Sequence, residues 1–169
     1  MRGAGAAAAA AGAILLAGAA FAQSGGPFGG FRHDREAPIE ITADALEVSE
    51  AAGRATFTGG VVAGQGALRL AADRLLVWYG GEAGEDGAAG DIDRLRAEGD
   101  VFLSSGEEAA EGQWAEYDVA AGTMTMGGGV TLTQAGNAIQ GERLTIDLNA
   151  GTGRMEGGRV RSVFTPARE

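Results

Sequence analysis

The chain has 169 residues, a formal charge of −10 and no cysteine, and all 13 of its basic residues other than His are Arg. That length makes one domain with room for a real core, and the missing cysteine excludes disulfides and thiolate chemistry. The acidic balance argues against nucleic acid as a partner and against electrostatic attraction to an anionic membrane surface.

Met1-Arg2 is a short basic start, Ala4 to Ala20 is apolar, and Ala20-Phe21-Ala22 forms an Ala-x-Ala cleavage site before Gln23. This is the pattern of a cleaved secretory signal peptide over residues 1–22, so the mature chain is expected to be exported. The alternative is an uncleaved anchor. The stretch is about long enough to span a bilayer, but only Ile14-Leu15-Leu16 is a strongly apolar run. Residues 23–37 are rich in Gly with one Pro and read as a flexible arm, Phe28 and Phe31 included.

The folded part begins at Pro38. Ile39, Ile41 and Ala43 share one side of an extended chain. So do Ala55, Phe57 and Gly59, then Leu68, Leu70 and Ala72, then Leu75, Val77 and Tyr79. A period of two marks strands with one face inward and one wet. Two punctuation elements alternate along the chain. One is Ala-Asp-x-Leu-x-Val, at 43–48 and 72–77, with weaker echoes at 115–119 and 141–146. The other is Gly-x-Val, at 59–61, 99–101, 128–130 and 158–160. Small residues sit where a chain must bend, so these elements mark corners in a stack of strand–corner–strand layers.

Residues 80–91 contain no core former and read as a surface loop joining two strands. Further strands are expected around Ile92–Ala97, Val101–Ser104, Glu111–Val119, Thr123–Met126, Val130–Gln134, Ala138–Gln140, Leu144–Leu148, Met155 and Val160–Thr165. Hairpin turns are expected at 118–122 and 147–153. Pro166 ends the last strand at an edge, before a tail at 167–169.

The chemistry of catalysis is hard to assemble. His33 is the only histidine and lies in the arm, so neither a transition-metal site nor a Ser–His system has its materials. Gly127-Gly128-Gly129 lacks a following Gly-Lys-Ser/Thr and reads as a corner rather than a phosphate loop. The many carboxylates fall on the outward phase or in the 80–91 loop, as a solvated surface would. No enzyme activity, cofactor or metal is expected.

What remains is the inward face. Its members are thin in large aromatics and padded with Val, Ala and Gly; an ordinary packed core and a groove open to a ligand are both consistent with it. The candidate groove residues are Ile41, Val48, Phe57, Val61, Leu68, Leu70, Leu75, Val77, Val101, Leu103, Tyr117, Met124, Met126, Val130, Leu132, Leu144 and Ile146. Leu46 belongs to the same inward face.

Pro-Ile-x-Ile-x-Ala-Asp-x-Leu at 38–46, Ala-Thr-Phe-Thr-Gly-Gly-Val at 55–61, Gln-Gly-x-Leu-x-Leu-x-Ala-Asp-x-Leu-x-Val at 65–77 and Gly-x-Val with Leu-Thr-Gln and Ile-Gln-Gly-Glu at 129–142 resemble the OstA-like family of lipopolysaccharide export. The resemblance covers about residues 38–166. Thr58-Gly59-Gly60-Val61 departs mildly from the family's usual Thr-Gly-Asn-Val. The resemblance implies an all-β fold, a twisted, partly open antiparallel β-jelly roll around a hydrophobic groove for lipid A acyl chains. It also implies a non-enzymatic periplasmic bridge that stacks head to tail. An LptC-like inner-membrane partner would meet the N-terminal edge at Pro38–Ala43, through Ile39 and Ile41. An LptD-like outer-membrane partner would meet the C-terminal edge at Val160–Thr165, through Val160 and Val163. Two other readings stand beside it: a membrane-anchored LptC-like paralogue, and a structural assembly module with a filled core and no lipid cargo.

Overall fold

Six long segments carry apolar side chains at alternate positions, and each becomes a strand. The computed structural model describes residues 31, 34, 36–80 and 91–165. The expected signal peptide, Phe28, His33, residues 81–90 and Pro166 lie outside them. The strands are β1 (Glu40–Thr42), β2 (Ala45–Ser49), β3 (Arg54–Gln65), β4 (Leu68–Tyr79), β5 (Ile92–Ser105), β6 (Glu108–Asp118), β7 (Thr123–Gln134), β8 (Asn137–Asp147), β9 (Thr152–Glu156) and β10 (Arg161–Val163), with a short 3₁₀ turn at Glu50–Ala52. All pair antiparallel in the order β1-β3-β4-β5-β6-β7-β8-β10, while β2 also pairs with β3 and β9 also pairs with β8.

That double pairing defines the architecture. β3 and β8 each carry one short partner on each half of their length, so the six long strands run through two half-sheets. One half-sheet has β1 and β10 at its edges; the other has β2 and β9. Their inner faces share one core, which joins Leu103 and Leu132 to Leu75, Met126 and Leu144. The result is an all-β, unclosed antiparallel jelly roll. β4 and β5 are neighbours, and the Gly80 N–H donates to the Asp91 carbonyl at 2.8 Å. The two strands thus stay together as far as Gly80 and Asp91.

The expected corners are bulges inside continuous strands, not strand ends, which corrects the shorter strands expected between residues 92 and 148. Gly59-Gly60 of β3 stand opposite the single residue Asp73, Gly99-Asp100 of β5 opposite Gln113, and Gly128-Gly129 of β7 opposite Glu142. An extra residue bends and twists a strand, and here it passes each strand from one half-sheet to the other. All six bulge residues have positive φ, from +41° at Asp100 to +84° at Gly128, the region that glycine enters freely. The fourth corner uses Gly157-Gly158, one residue earlier than the Gly-x-Val spacing implies. β10 in consequence starts at Arg161, and Val160 lies outside it.

Candidate functional site

The inner face is built from cross-strand rows. In the half-sheet edged by β2 and β9, one row runs Leu46–Phe57–Leu75–Ala97–Ala115–Met126–Leu144–Met155, and the next runs Val48–Ala55–Val77–Leu95–Tyr117–Met124–Ile146–Gly153. In the other half-sheet Ile41–Ala63–Leu70–Leu103–Ala110–Leu132–Ile139 form a row. Partners directly opposite in an antiparallel ladder share a face, so each row is a continuous apolar stripe across the sheet.

Most of the sequence-derived groove residues are brought together here. Val61, Leu68, Leu75, Val77, Val101, Leu103, Tyr117, Met124, Met126, Val130, Leu132, Leu144 and Ile146 are buried, and Ile41, Phe57 and Leu70 are half-buried against them. Val48 differs. It lies on the inner face in register, as does Leu46, yet the two are 60% and 56% exposed. β2 is the last strand of its half-sheet, and no described element covers the inner side of it. The apolar stripes therefore run out into solvent at this rim.

The edge residues separate. Ile39 and Ile41 pack against the core. Val163 pairs with Ala138 and stands on the outer face, and Val160, Val163 and Phe164 are all exposed.

Between the half-sheets a cavity of about 40 Å³ remains, lined by Ile39, Leu68, Leu70, Leu75, Tyr117 and Met124 together with Ala63, Gly64, Gln65, Leu95, Ala97 and Ala115. That has room for about three waters, far short of a whole acyl chain. An acyl chain needs the half-sheets to part or its place to be vacated.

Three features escaped the sequence. Leu95 and Ala97 are buried and line the cavity; their alternation with Arg94 and Arg96 was the available signal. A polar row closes the inner face at the β3–β4 end. Gln65 donates to the Ala37 carbonyl at 3.1 Å and accepts from the Tyr117 hydroxyl at 3.3 Å, and Gln134 donates to Glu108. Gln65 and Glu108 are buried. The third is Phe31. Expected in a flexible arm, it is fully buried and part of the core.

The outer face has a different chemistry. Trp114 is flanked by the Arg96 and Arg143 guanidiniums, 5.0 and 5.9 Å from its ring centre, and Trp78 by Arg94 at 4.4 Å. Arg96 bonds Glu98 at 2.9 Å and Glu116 at 3.3 Å. The Glu98 hydrogen bond and then that to Glu116 raise its pKa above the ordinary arginine value, against partial desolvation. Among the described residues no group of His, Asp and Glu side chains is placed to hold a metal ion.

The profile of the family described as LptA/(LptD N-terminal domain) LPS transport protein matches residues 40–152, β1 to the start of β9. The chain belongs to this family. A protein of Rhizobium meliloti (strain 1021), named only as uncharacterized protein R00383, is 37% identical over 120 residues, which is 69% of this chain and 64% of that protein. The chain thus spans somewhat under two thirds of the length of this relative. The crystal structure of LptH, the LptA-homologous periplasmic component of the lipopolysaccharide transport device of Pseudomonas aeruginosa, superimposes with a TM-score of 0.69. It covers 79% of this chain and 99% of LptH at 20% identity. At that identity the likeness is one of fold, and it is the LptA-like jelly roll.

Proposed function

We propose that this chain is a periplasmic carrier of lipopolysaccharide. It shields lipid A acyl chains along its inner face and passes them between copies or partners joined at its edges. The observation that carries the proposal, beside family membership, is the rim at β2. Leu46 and Val48 continue the buried stripes in register and yet face solvent. An apolar interior that opens at a sheet edge suits a cargo that enters lengthwise.

The physical demand is simple. Each methylene in water costs about 0.8 kcal/mol, so a twelve-carbon chain costs on the order of 10 kcal/mol. The sugars need no cover. Head-to-tail assembly follows from the edges. β1 and β2 are each paired on one side only, to β3, and β9 and β10 likewise to β8. Strand addition at such edges joins the inner faces of successive copies, and a contact between unlike edges extends instead of closing. An LptC-like partner at the N-terminal edge and an LptD-like partner at the C-terminal edge would use the same backbone groups. The chain needs no catalytic step for this work.

Photo-crosslinking amino acids at Leu46, Phe57 and Arg74 test the proposal in cells making lipopolysaccharide. Arg74 lies between Thr58 and Glu98 on the outer face. Capture of lipopolysaccharide at Leu46 and Phe57 but not at Arg74 is expected; equal capture at all three positions sinks the inner-face assignment. The nearly filled interior favours a second reading, an assembly module without cargo. That reading predicts concentration-dependent oligomers and no lipopolysaccharide bound to protein recovered from its native compartment.

A further inference from the structure

Phe31 is the one buried aromatic side chain among the described residues that no strand carries. Its point of entry is marked by the residues that follow. Asp34 begins a tight turn, with its carboxylate accepting from the Glu36 N–H at 3.0 Å and its carbonyl from the Ala37 N–H at 3.1 Å. The Gln65 side chain holds the Ala37 carbonyl. Asp34 also backs onto Gly66 in the β3–β4 turn, where an added Cβ would lie 3.4 Å from the Asp34 Cβ. Three residues of chain reach at most about 11 Å. Phe31 therefore enters the interior at the β3–β4 end, the same end where Gln65 and Leu68 border the residual cavity.

We propose that the seat of Phe31 is an acyl-chain subsite. The Phe31 ring occupies it while no lipid is bound, and an entering acyl chain expels the ring. This rests on the carrier function proposed above. The inner-face side chains of the long strands cannot leave without dismantling the sheet. Phe31 belongs to no strand, so its ring can leave with every ladder intact. The Asp34 turn and the Gln65 hydrogen bond hold the chain at Ala37, short of β1. A ring and an acyl segment are also interchangeable fillings for an apolar seat, since burial of either is governed by area and not by direction. Self-occupancy multiplies the apparent lipid affinity by the vacant fraction and so weakens it, and the returning ring refills the seat when the lipid moves on.

The test places para-fluorophenylalanine at position 31 alone and follows fluorine NMR. Hexa-acylated lipid A and, separately, dansyl undecanoic acid are titrated in. The resonance is expected at a buried position without lipid and at the position of the free amino acid at saturation. Phe31→Ala is expected to bind dansyl undecanoic acid at least about fivefold more tightly, the lower end of ordinary coupling between two occupants. Phe31→Leu, which keeps a smaller plug, should fall between, and serves if Phe31→Ala does not fold. An unmoved resonance with probe bound, or no tightening in either variant, overturns this proposal and leaves the carrier function standing. Failure of every form to bind either probe overturns both.

Discussion

Gly128 and Gly129 allow the bulge mechanism to be tested one atom at a time. The two are adjacent in β7, and their φ angles are nearly equal, +84° and +82°. A Cβ added to Gly129 meets nothing within 4 Å, whereas one added to Gly128 lies 2.6 Å from the Gln113 Cβ and 3.0 Å from its Cγ. Left-handed backbone costs an L-residue about 1–2 kcal/mol, and both Ala variants bear that. Gly128→Ala must in addition move a side chain at its root, an overpacking cost of typically about 1–3 kcal/mol. We expect Gly129→Ala to lose about 1–2 kcal/mol and Gly128→Ala about 2–5 kcal/mol. For a domain of this size that separates the melting temperatures by roughly 3–10 °C. Urea unfolding followed by circular dichroism gives both values. Gln113→Gly removes the obstructing Cβ, so it should lessen the Gly128→Ala loss in a double-mutant cycle and leave Gly129→Ala untouched. Equal losses for the two glycines, or no coupling to Gln113, would refute the claim that the bulge glycine is set by close approach across the ladder.

The rim and the core should respond oppositely to substitution. Leu132→Ala empties a fully buried site and should cost about 2–5 kcal/mol in urea unfolding. Leu46→Asp and Val48→Asp change exposed side chains and should stay within about 0.5 kcal/mol while abolishing lipopolysaccharide capture; loss of folding instead would place the rim in the core. On the outer face a Cβ at Gly127 would run into the Trp114 indole, so Gly127→Ala should destabilise wild type far more than it does Trp114→Ala, again by urea unfolding. Ala135, at φ +45° in the β7–β8 turn, should gain stability as Ala135→Gly, by up to about 1 kcal/mol in thermal melts. Arg96→Gln should cost under about 1 kcal/mol, because Arg96 and its two Glu partners are each more than a third exposed. The raised pKa of Arg96 gives a contribution that is complete below the ordinary arginine pKa and lost only as pH climbs through the higher folded value. Melting temperatures of wild type and Arg96→Gln should therefore differ by a constant amount between about pH 7 and pH 10.

The strands and most of the inner face were legible because period-two alternation survives in every long strand. The positions of the bulges, though not their nature, are marked by breaks in phase. Inward residues step by three across 72–75, 112–115 and 141–144, and by four across 57–61, 97–101 and 126–130. The steps of three fall in even-numbered strands and those of four in odd-numbered ones, as one residue opposite two requires. What local pattern cannot carry is the difference between a corner that ends a strand and a bulge that continues it, since both want small residues with positive φ. Coverage is likewise a property of neighbours. Leu46 and Val48 have the pattern of buried residues and are exposed because β2 is last in its half-sheet. Phe31 was misplaced for the converse reason, since Gly-rich surroundings describe the chain around it and not the seat that receives it. Gln65 and Glu108 follow the inward phase at strand ends, but a polar residue on that phase gives no local sign of the partner it will find.

The filled interior bears directly on the carrier proposal. Thirteen of the groove candidates are buried against one another, and the cavity between the half-sheets is about 40 Å³. Entry of an acyl chain exchanges protein self-contact for protein–lipid contact, so the methylenes shed their water while the protein gives up packing. The net affinity is the difference between two terms that are each on the order of 10 kcal/mol for a twelve-carbon chain. A conveyor needs that arrangement, because a preformed empty groove would retain most of the gain and hold its cargo. The bulges make the exchange feasible. β3, β5 and β7 each bend at a glycine-containing bulge opposite one residue of β4, β6 and β8, and the two half-sheets can spread there without breaking the ladders of either half. The same bends leave four short edge strands, two at each end of the molecule, so the apolar stripes reach both ends and a neighbour can continue them.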